Sequence, residues 1–222
     1  MPLAENLAAI RAAIHAAAKE AGRDPGGVRL LAVSKGQPVE AIEAAYAAGQ
    51  RDFGENRAQE AARKFIQFRT SHPDIRLHLI GPLQTNKAAD AVRLFDVIET
   101  LDRPKLAYAL AEEMRRQDRH PDLYIEVNIG HEPQKAGIAP ESLADFLTLC
   151  RGELKLPVRG LMAIPPLGDD PALYFRKLAA LAAAHDLAAC SMGMSGDFKT
   201  AIACGATEVR IGTGIFGARN QH

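Results

Sequence analysis

The stretch LLAVSKGQPVEAIEAAYAAGQRDFGENRAQEAARKF, residues 30–65, contains one pattern twice. Leu30, Leu31, Ala32 and Val33 form a short apolar run, which predicts a strand over 29–35. Gly36 and Pro38 interrupt it, and an alanine-rich segment of helical period follows over 38–48. A second short run at 51–55 and a second helical stretch at 56–69 repeat the order.

The alternation continues to the end of the chain. Strands are predicted at 76–80, 96–100, 122–128, 158–164, 188–192 and 208–212. Helices are predicted near 85–94, 103–118, 140–151, 170–185 and 196–204. Ahead of the first strand, Leu3, Leu7, Ile10 and Ile14 recur at helical spacing until Gly22. Strict strand–helix alternation argues for a parallel sheet with right-handed crossovers. Eight units fit a closed (β/α)8 barrel, a TIM barrel with an extra N-terminal helix, better than an open doubly wound sheet. The proline-rich AIPPLGDDP, residues 163–171, reads as a strand-to-helix loop rather than a linker, so a single domain over 1–222 is expected.

The 222 residues carry 27 basic and 27 acidic side chains with no polybasic patch or acidic tail. Nucleic acid and anionic membrane are therefore poor partners. Three scattered cysteines, Cys150, Cys190 and Cys204, suit neither a disulfide framework nor a zinc site, and no metal is expected. Charges at Glu5 and Arg11 argue against a signal peptide, and no apolar run reaches spanning length. A soluble cytoplasmic protein is expected.

In a barrel, reactive groups collect where strands stop and the following loops begin. Those positions hold Lys35, GEN (54–56), HLIGPLQTNK (78–87), IET (98–100), MAIPP (162–166), SMGMSGD (191–197) and RIGTGIFG (210–217). Side-chain alternation puts Leu31, Val33 and Lys35 on one face. If that face looks inward, desolvation favours the free amine as a nucleophile for an aldehyde. The alternative is a lysine that snorkels to solvent. Ser195 lies among Gly193 and Gly196, and Gly212 and Thr213 form a second tight turn. These loops follow the seventh and eighth strands, where barrels frequently hold phosphate. Arg210 shares a face with Gly212 and needs a partner inside: an ion pair with Glu208, Glu126 or Asp52, or a ligand ring nitrogen or anion. An amine, a phosphate cradle and an arginine suit pyridoxal 5′-phosphate held as a lysine Schiff base.

The segments LLAVSKGQPVEAIEAAYAAGQRDFGENRAQEA, HLIGPLQTNK, EVNIGHEPQKAGI, GLMAIPP and SMGMSGDFKTAIACGATEVRIGTGIFGAR closely resemble the pyridoxal phosphate homeostasis proteins, small relatives of the alanine racemase N-terminal barrel. The resemblance runs from about residue 29 to 219. It implies that Lys35 is the Schiff-base lysine and that Ser195, Gly212 and Thr213 hold the phosphate. It further implies that Arg210 faces the pyridine nitrogen and that Asn56 lies near the ring. Lys135 matches a second lysine of the family, or is a solvated loop charge. The sequence departs from the pattern at Gln37 for lysine, Leu77 for an aromatic, and His131 for glycine.

The implied function is binding and buffering of the cofactor in vitamin B6 homeostasis, with apo pyridoxal-phosphate enzymes as recipients and no catalytic residues. A racemase needs an acid–base group on each face of the cofactor. In barrel racemases one comes from a C-terminal β domain, which a chain ending at His222 is expected to lack. A cationic Arg210 at the ring nitrogen also weakens the cofactor as an electron sink. The alternatives are a minimal pyridoxal-phosphate-dependent amino-acid racemase and a barrel enzyme forming a lysine Schiff base with a phosphate sugar. His78, inside an apolar strand, reads as a core histidine rather than a base.

Overall fold

The structure, a computed structural model, describes residues 3–217. Ala218 and Arg219, which end the last motif, lie outside the described residues. The eight strands are β1 (Arg29–Val33), β2 (Asp52–Glu55), β3 (Arg76–Leu79), β4 (Val97–Leu101), β5 (Asp122–Glu126), β6 (Val158–Met162), β7 (Ala189–Ser191) and β8 (Glu208–Ile211). All pair in parallel and in sequence order, and β8 returns to β1 to close the barrel. The helices are α1 (Leu3–Glu20), α2 (Val39–Ala47), α3 (Ala58–Ser71), α4 (Ala88–Leu94), α5 (Pro104–Gln117), α6 (Leu143–Leu147), α7 (Pro171–Ala184), α8 (Phe198–Ala203) and α9 (Thr213–Phe216). The barrel and the extra N-terminal helix are as the alternation predicts. None of the described helices is long and apolar enough to cross a membrane.

Most element boundaries shift by one or two residues from the sequence reading, and two differences at the mouth bear on the site. The first strand stops at Val33, not at Lys35. Ser34 still donates to Gly54 O, but Gln37 N then donates back to Ser34 O at 3.0 Å and closes a turn. Gly36 sits in that turn at φ +70°, the left-handed region required at the third residue of a type II turn. At the other end, residues 213–216 form the single-turn α9 rather than a tight turn. Its Ile215 is fully buried, and Asn6 of α1 donates to the Ile215 carbonyl at 3.1 Å.

Strand register assigns the two faces of the sheet. Val33 pairs with Gly54, Gly54 with His78, His78 with Val97, Met162 with Ser191, Ser191 with Glu208, and Leu31 with Arg210. This set faces inward, because its members bond across the barrel, as Ser191 does to Glu99. The opposite faces, with Leu30, Ala32, Phe53, Leu77, Ile98 and Val209, pack under the helices in one apolar cluster that includes Leu7 and Ile14 of α1. Burial of that outer layer supplies the bulk of the folding free energy. Inside, the apolar filling is sparse: fully buried Leu31, and a small cluster of Val97, Tyr124 and Met162 with Ala189 against them. Much of the remaining interior is polar, with His78, Glu99, Ser191, Glu208 and Arg210 all buried. Barrel interiors are ordinarily layered with branched apolar side chains, so this one departs from the rule.

Candidate functional site at the barrel mouth

Lys35 is half-buried in its turn and lines a slot of about 50 Å³ with Val33, Gln37, Gly212, Thr213 and Gly217. Thr213 Oγ1 lies 3.2 Å from Ser195 Oγ, so the loops after β7 and β8 are joined side chain to side chain. Gly193 shapes the first of these loops. It has φ +92°, and a Cβ there would meet Ala201 Cβ at 2.5 Å. Only glycine lets the loop lie on α8 and present Ser195 to solvent. Both hydroxyls are exposed and face the mouth.

Asn56 follows β2 as Lys35 follows β1, each two residues beyond the paired Val33 and Gly54. Its Oδ1 is buried and has no hydrogen-bond partner among the described residues. The backbone of Gly81 crosses it closely: a Cβ on Gly81 would come 2.3 Å from Asn56 O. Asn56 and Ser195 do not line the slot with Lys35; Ser195 is joined to it through Thr213, and Asn56 lies past the end of the neighbouring strand.

Arg210 lies below the two glycine loops, 5 % exposed. None of the ion pairs considered from the sequence is its direct contact. Its Nη1 donates to Ser191 Oγ at 2.7 Å and its Nη2 to Ala163 O at 3.0 Å. Ser191 passes the chain on, donating to Glu99 Oε2 at 2.5 Å, and Glu99 Oε1 meets His78 Nδ1 at 2.7 Å. Beyond His78 lie Glu208 Oε1 at 3.6 Å and Asp52 Oδ1 at 3.7 Å. Arg29 approaches Glu208 from the floor of the barrel at 3.6 Å. His78, Glu99 and Glu208 hold ligand-capable atoms within 4.8 Å of one another, with Arg29 paired to Glu208 below and Arg210 linked to Glu99 through Ser191 above.

Burial works against a charge on His78, but Glu208, Asp52 and Glu99 reverse this and push it up to about 10. The surrounding carboxylates therefore favour the charged imidazole, and His78, fully buried, is a core histidine as the sequence suggests. Burial also opposes the charge on Glu99, yet the bond to His78, the His78 charge and Arg210 hold it below its ordinary value. Glu208 is pushed up to about 8 by burial and by the neighbouring Glu99. Glu126, on the inward face of β5, is raised to about 7 by burial and by Asp102, with Arg210 pulling the other way. The sequence reading weighed Glu126 and Glu208 only as partners of Arg210 and gave Glu99 and Ser191 no role. The available signal was a carboxylate in an apolar strand on the same alternation as Arg210.

Lys135 is a tether rather than a solvated charge. Its Nζ is 2.5 Å from Glu132 Oε2 and donates to Pro165 O at 2.9 Å, which links the loops after β5 and β6.

The family model described as "Alanine racemase, N-terminal domain" matches residues 6–220. The chain is 40% identical over 230 residues to a protein of Pasteurella multocida named pyridoxal phosphate homeostasis protein, covering 99% of each. The protein of that name from Haemophilus influenzae is 41% identical over 233 residues, 99% of this chain and 97% of the relative. Among solved structures, PipY of Synechococcus elongatus is 40% identical, with 97% of this chain and 100% of that one covered. Its structure without PLP superposes with a TM-score of 0.87, and that with PLP bound with 0.83. By sequence and by fold, the chain belongs to the alanine racemase N-terminal domain family and, within it, to the pyridoxal phosphate homeostasis proteins.

Proposed function

We propose that this protein binds pyridoxal 5′-phosphate as a Schiff base on Lys35 and serves vitamin B6 homeostasis in the cytoplasm, acting as one unit and without turnover of its own. One observation carries the reading: Lys35 shares a slot with Gly212 and Thr213, and Thr213 is bonded to Ser195. The likeness to PipY, which has been seen with PLP bound, supports it.

The residues fit the group. Asn56 offers a buried, unpartnered carbonyl oxygen past the end of the strand next to that of Lys35, and the two exposed hydroxyls stand together on glycine-bearing loops. The cofactor, when bound, supplies an aldehyde carbon to an amine and a ring that withdraws electrons from it. Lys35 provides the amine. Ser195, Thr213 and the Gly212 backbone receive the phosphate, and Asn56 borders the ring. Arg210 has five N–H donors; its bonds to Ser191 and Ala163 fix the plane of the guanidinium, and a donor left over would face the ring nitrogen of a bound cofactor. A cation held there keeps that nitrogen from taking a proton. This favours storage over carbanion chemistry. Apo enzymes that use the same cofactor are the recipients we infer, and the cysteines, all unpaired, suit a reducing compartment.

Borohydride reduction after incubation with pyridoxal 5′-phosphate, followed by peptide mapping, tests the site. Label on Lys35, absent in Lys35→Ala, is expected. Label on a different lysine in the wild type refutes the assignment. Incubation of the loaded protein with amino acids in deuterated solvent is expected to leave the α-proton in place; rapid exchange would establish the racemase reading instead.

A further inference from the structure

Behind the Lys35 turn lies a buried ionic group that plays no part in the site described above. Lys64 of α3 is only 9% exposed, on a helix face otherwise formed by Ala61, Phe65 and Phe68. Its Nζ is 2.6 Å from Glu55 Oε1 and 2.9 Å from Glu60 Oε1. Lysine is among the residues least often buried, so the position calls for a specific reason.

The contacts give one. Lys64 Nζ donates to the carbonyl of Ser34 at 2.9 Å, and the amide of Gly36 donates to Glu60 Oε1 at 2.6 Å. Ser34 Oγ in turn donates to Glu55 Oε1 at 2.6 Å. The Ser34 carbonyl belongs to the peptide plane that precedes the Lys35 Cα, and the Gly36 amide belongs to the plane that follows it. A residue has two soft backbone dihedrals, and they are the angles between its Cα and those two planes. Holding both planes therefore fixes the direction of the Lys35 Cα–Cβ bond. Lys64 and Glu60 hold one plane each, and they are four residues apart on one helix and bonded to each other. Without such contacts, a turn containing a glycine at positive φ would be the softest joint between β1 and α2.

We propose that Glu55, Lys64 and Glu60 are positioning residues: they form a clamp that sets where the Lys35 amine stands and thereby speeds its reaction with an aldehyde. This rests on the reading of Lys35 as the Schiff-base lysine. In that reaction the amine nitrogen bonds to the carbonyl carbon, and the carbonyl oxygen leaves as water with two protons. Reaction rates of this kind depend steeply on placement, where a displacement of about 1 Å can cost roughly a hundredfold.

The test compares Glu60→Ala, which removes the acceptor for Gly36, with Glu60→Gln, which keeps an amide oxygen there. Glu60 is one-third exposed and Lys64 keeps Glu55 in both variants, so both are expected to fold, with a lowered melting point only in Glu60→Ala. Two quantities are measured: the rate of Schiff-base formation with pyridoxal 5′-phosphate and with phosphate-free pyridoxal, and hydrogen exchange of the Gly36 amide in the cofactor-free protein. Glu60→Ala is expected to slow both reactions about tenfold and to raise Gly36 exchange by at least as much, as losing one hydrogen bond to a charged group implies. Glu60→Gln is expected to restore both within roughly threefold. Wild-type rates and exchange in Glu60→Ala would overturn the proposal, and so would a defect that Glu60→Gln fails to restore. If the wild type forms no adduct at Lys35, the functional reading fails, while the exchange measurement still judges the clamp.

Discussion

Ser191 on β7 donates a 2.5 Å hydrogen bond across the barrel interior to Glu99 on β4. The bond is the middle link of a polar column that runs from Arg210 at the mouth, through Ser191, Glu99 and His78, toward Asp52 and Glu208 near the floor. Burying charge is unfavourable unless each group is paired, and an unpaired member left behind by mutation is strongly destabilising. The barrel thus has a core whose satisfaction depends on protons as well as on packing.

That dependence gives a pH profile. His78 has an ordinary value of 6.5 and is raised to about 10, so its contribution to stability is complete below pH 6.5 and is lost as pH climbs toward 10. Glu208 and Glu126, raised from 4.5 to about 8 and about 7, act in the same direction, since the folded state holds their protons more tightly. Stability should therefore decline from about pH 5 to 10, and urea midpoints across that range check it. A flat or rising midpoint would mean that the column is not charged as described. In His78→Gln the decline above pH 8 should shrink to the part that the buried thiols of Cys150 and Cys190, raised from 9.0 to about 12 and about 11, contribute above pH 9.

The pair Ser195 and Thr213 makes a separate prediction. Both are exposed, so Ser195→Ala and Thr213→Ala should leave the melting temperature unchanged. If they hold the phosphate, each should weaken binding of pyridoxal 5′-phosphate by about 1.5–3 kcal/mol, the range for hydrogen bonds to charged groups. Titration with phosphate-free pyridoxal is the control. Equal losses for both ligands would show that these hydroxyls do something else.

The eight strands were legible because each is a short apolar run bounded by turn residues, and periodicity reports that pattern directly. Arg210 could be placed inside by counting alternate positions along β8. The turn at Lys35 could not be placed so easily, because strand and turn share the residues LLAVSKG and only Gly36 marks the break. The column was hidden for another reason. Ser191, Glu99 and His78 come from three strands, and the bonds between them depend on barrel register, which no local pattern encodes. Lys64 was equally hidden, since a lysine within a helix reads as a solvated charge until the neighbouring turn is in place.

His131 shows where a departure from the family pattern has a measurable consequence. It stands where the resemblance expects glycine, and its φ is +53°, in the left-handed region. A side chain there is disfavoured by about 1–2 kcal/mol, against which glycine loses about 0.5–1 kcal/mol of chain entropy. The exposed contact of His131 with Glu141 at 3.4 Å adds little. His131→Gly should raise stability by roughly 0.5–1 kcal/mol, read from the urea midpoint. A lower midpoint would mean that the imidazole makes a contribution larger than the backbone penalty.

The last prediction concerns Arg210, on which the proposed restraint of the cofactor ring depends. Its guanidinium bonds Ser191 and Ala163 and opposes the upward shift of Glu126. Arg210→Met keeps an unbranched chain of similar length but removes the charge and the donors. Two consequences follow in the cofactor-free protein. The Ala163 carbonyl loses its donor and Glu99 loses a stabilising cation, so the variant should be destabilised by about 3–5 kcal/mol, the range for breaking a buried charged contact. Glu126 should also titrate above its present value of about 7, because burial and Asp102 then act unopposed. Carbon-detected NMR of the Glu126 carboxyl follows this without any ligand. If the Glu126 titration stays in place while stability falls, Arg210 acts through its hydrogen bonds alone. Its charge is then too well screened at the mouth to restrain a ring nitrogen, and the case for storage over turnover loses its main physical support.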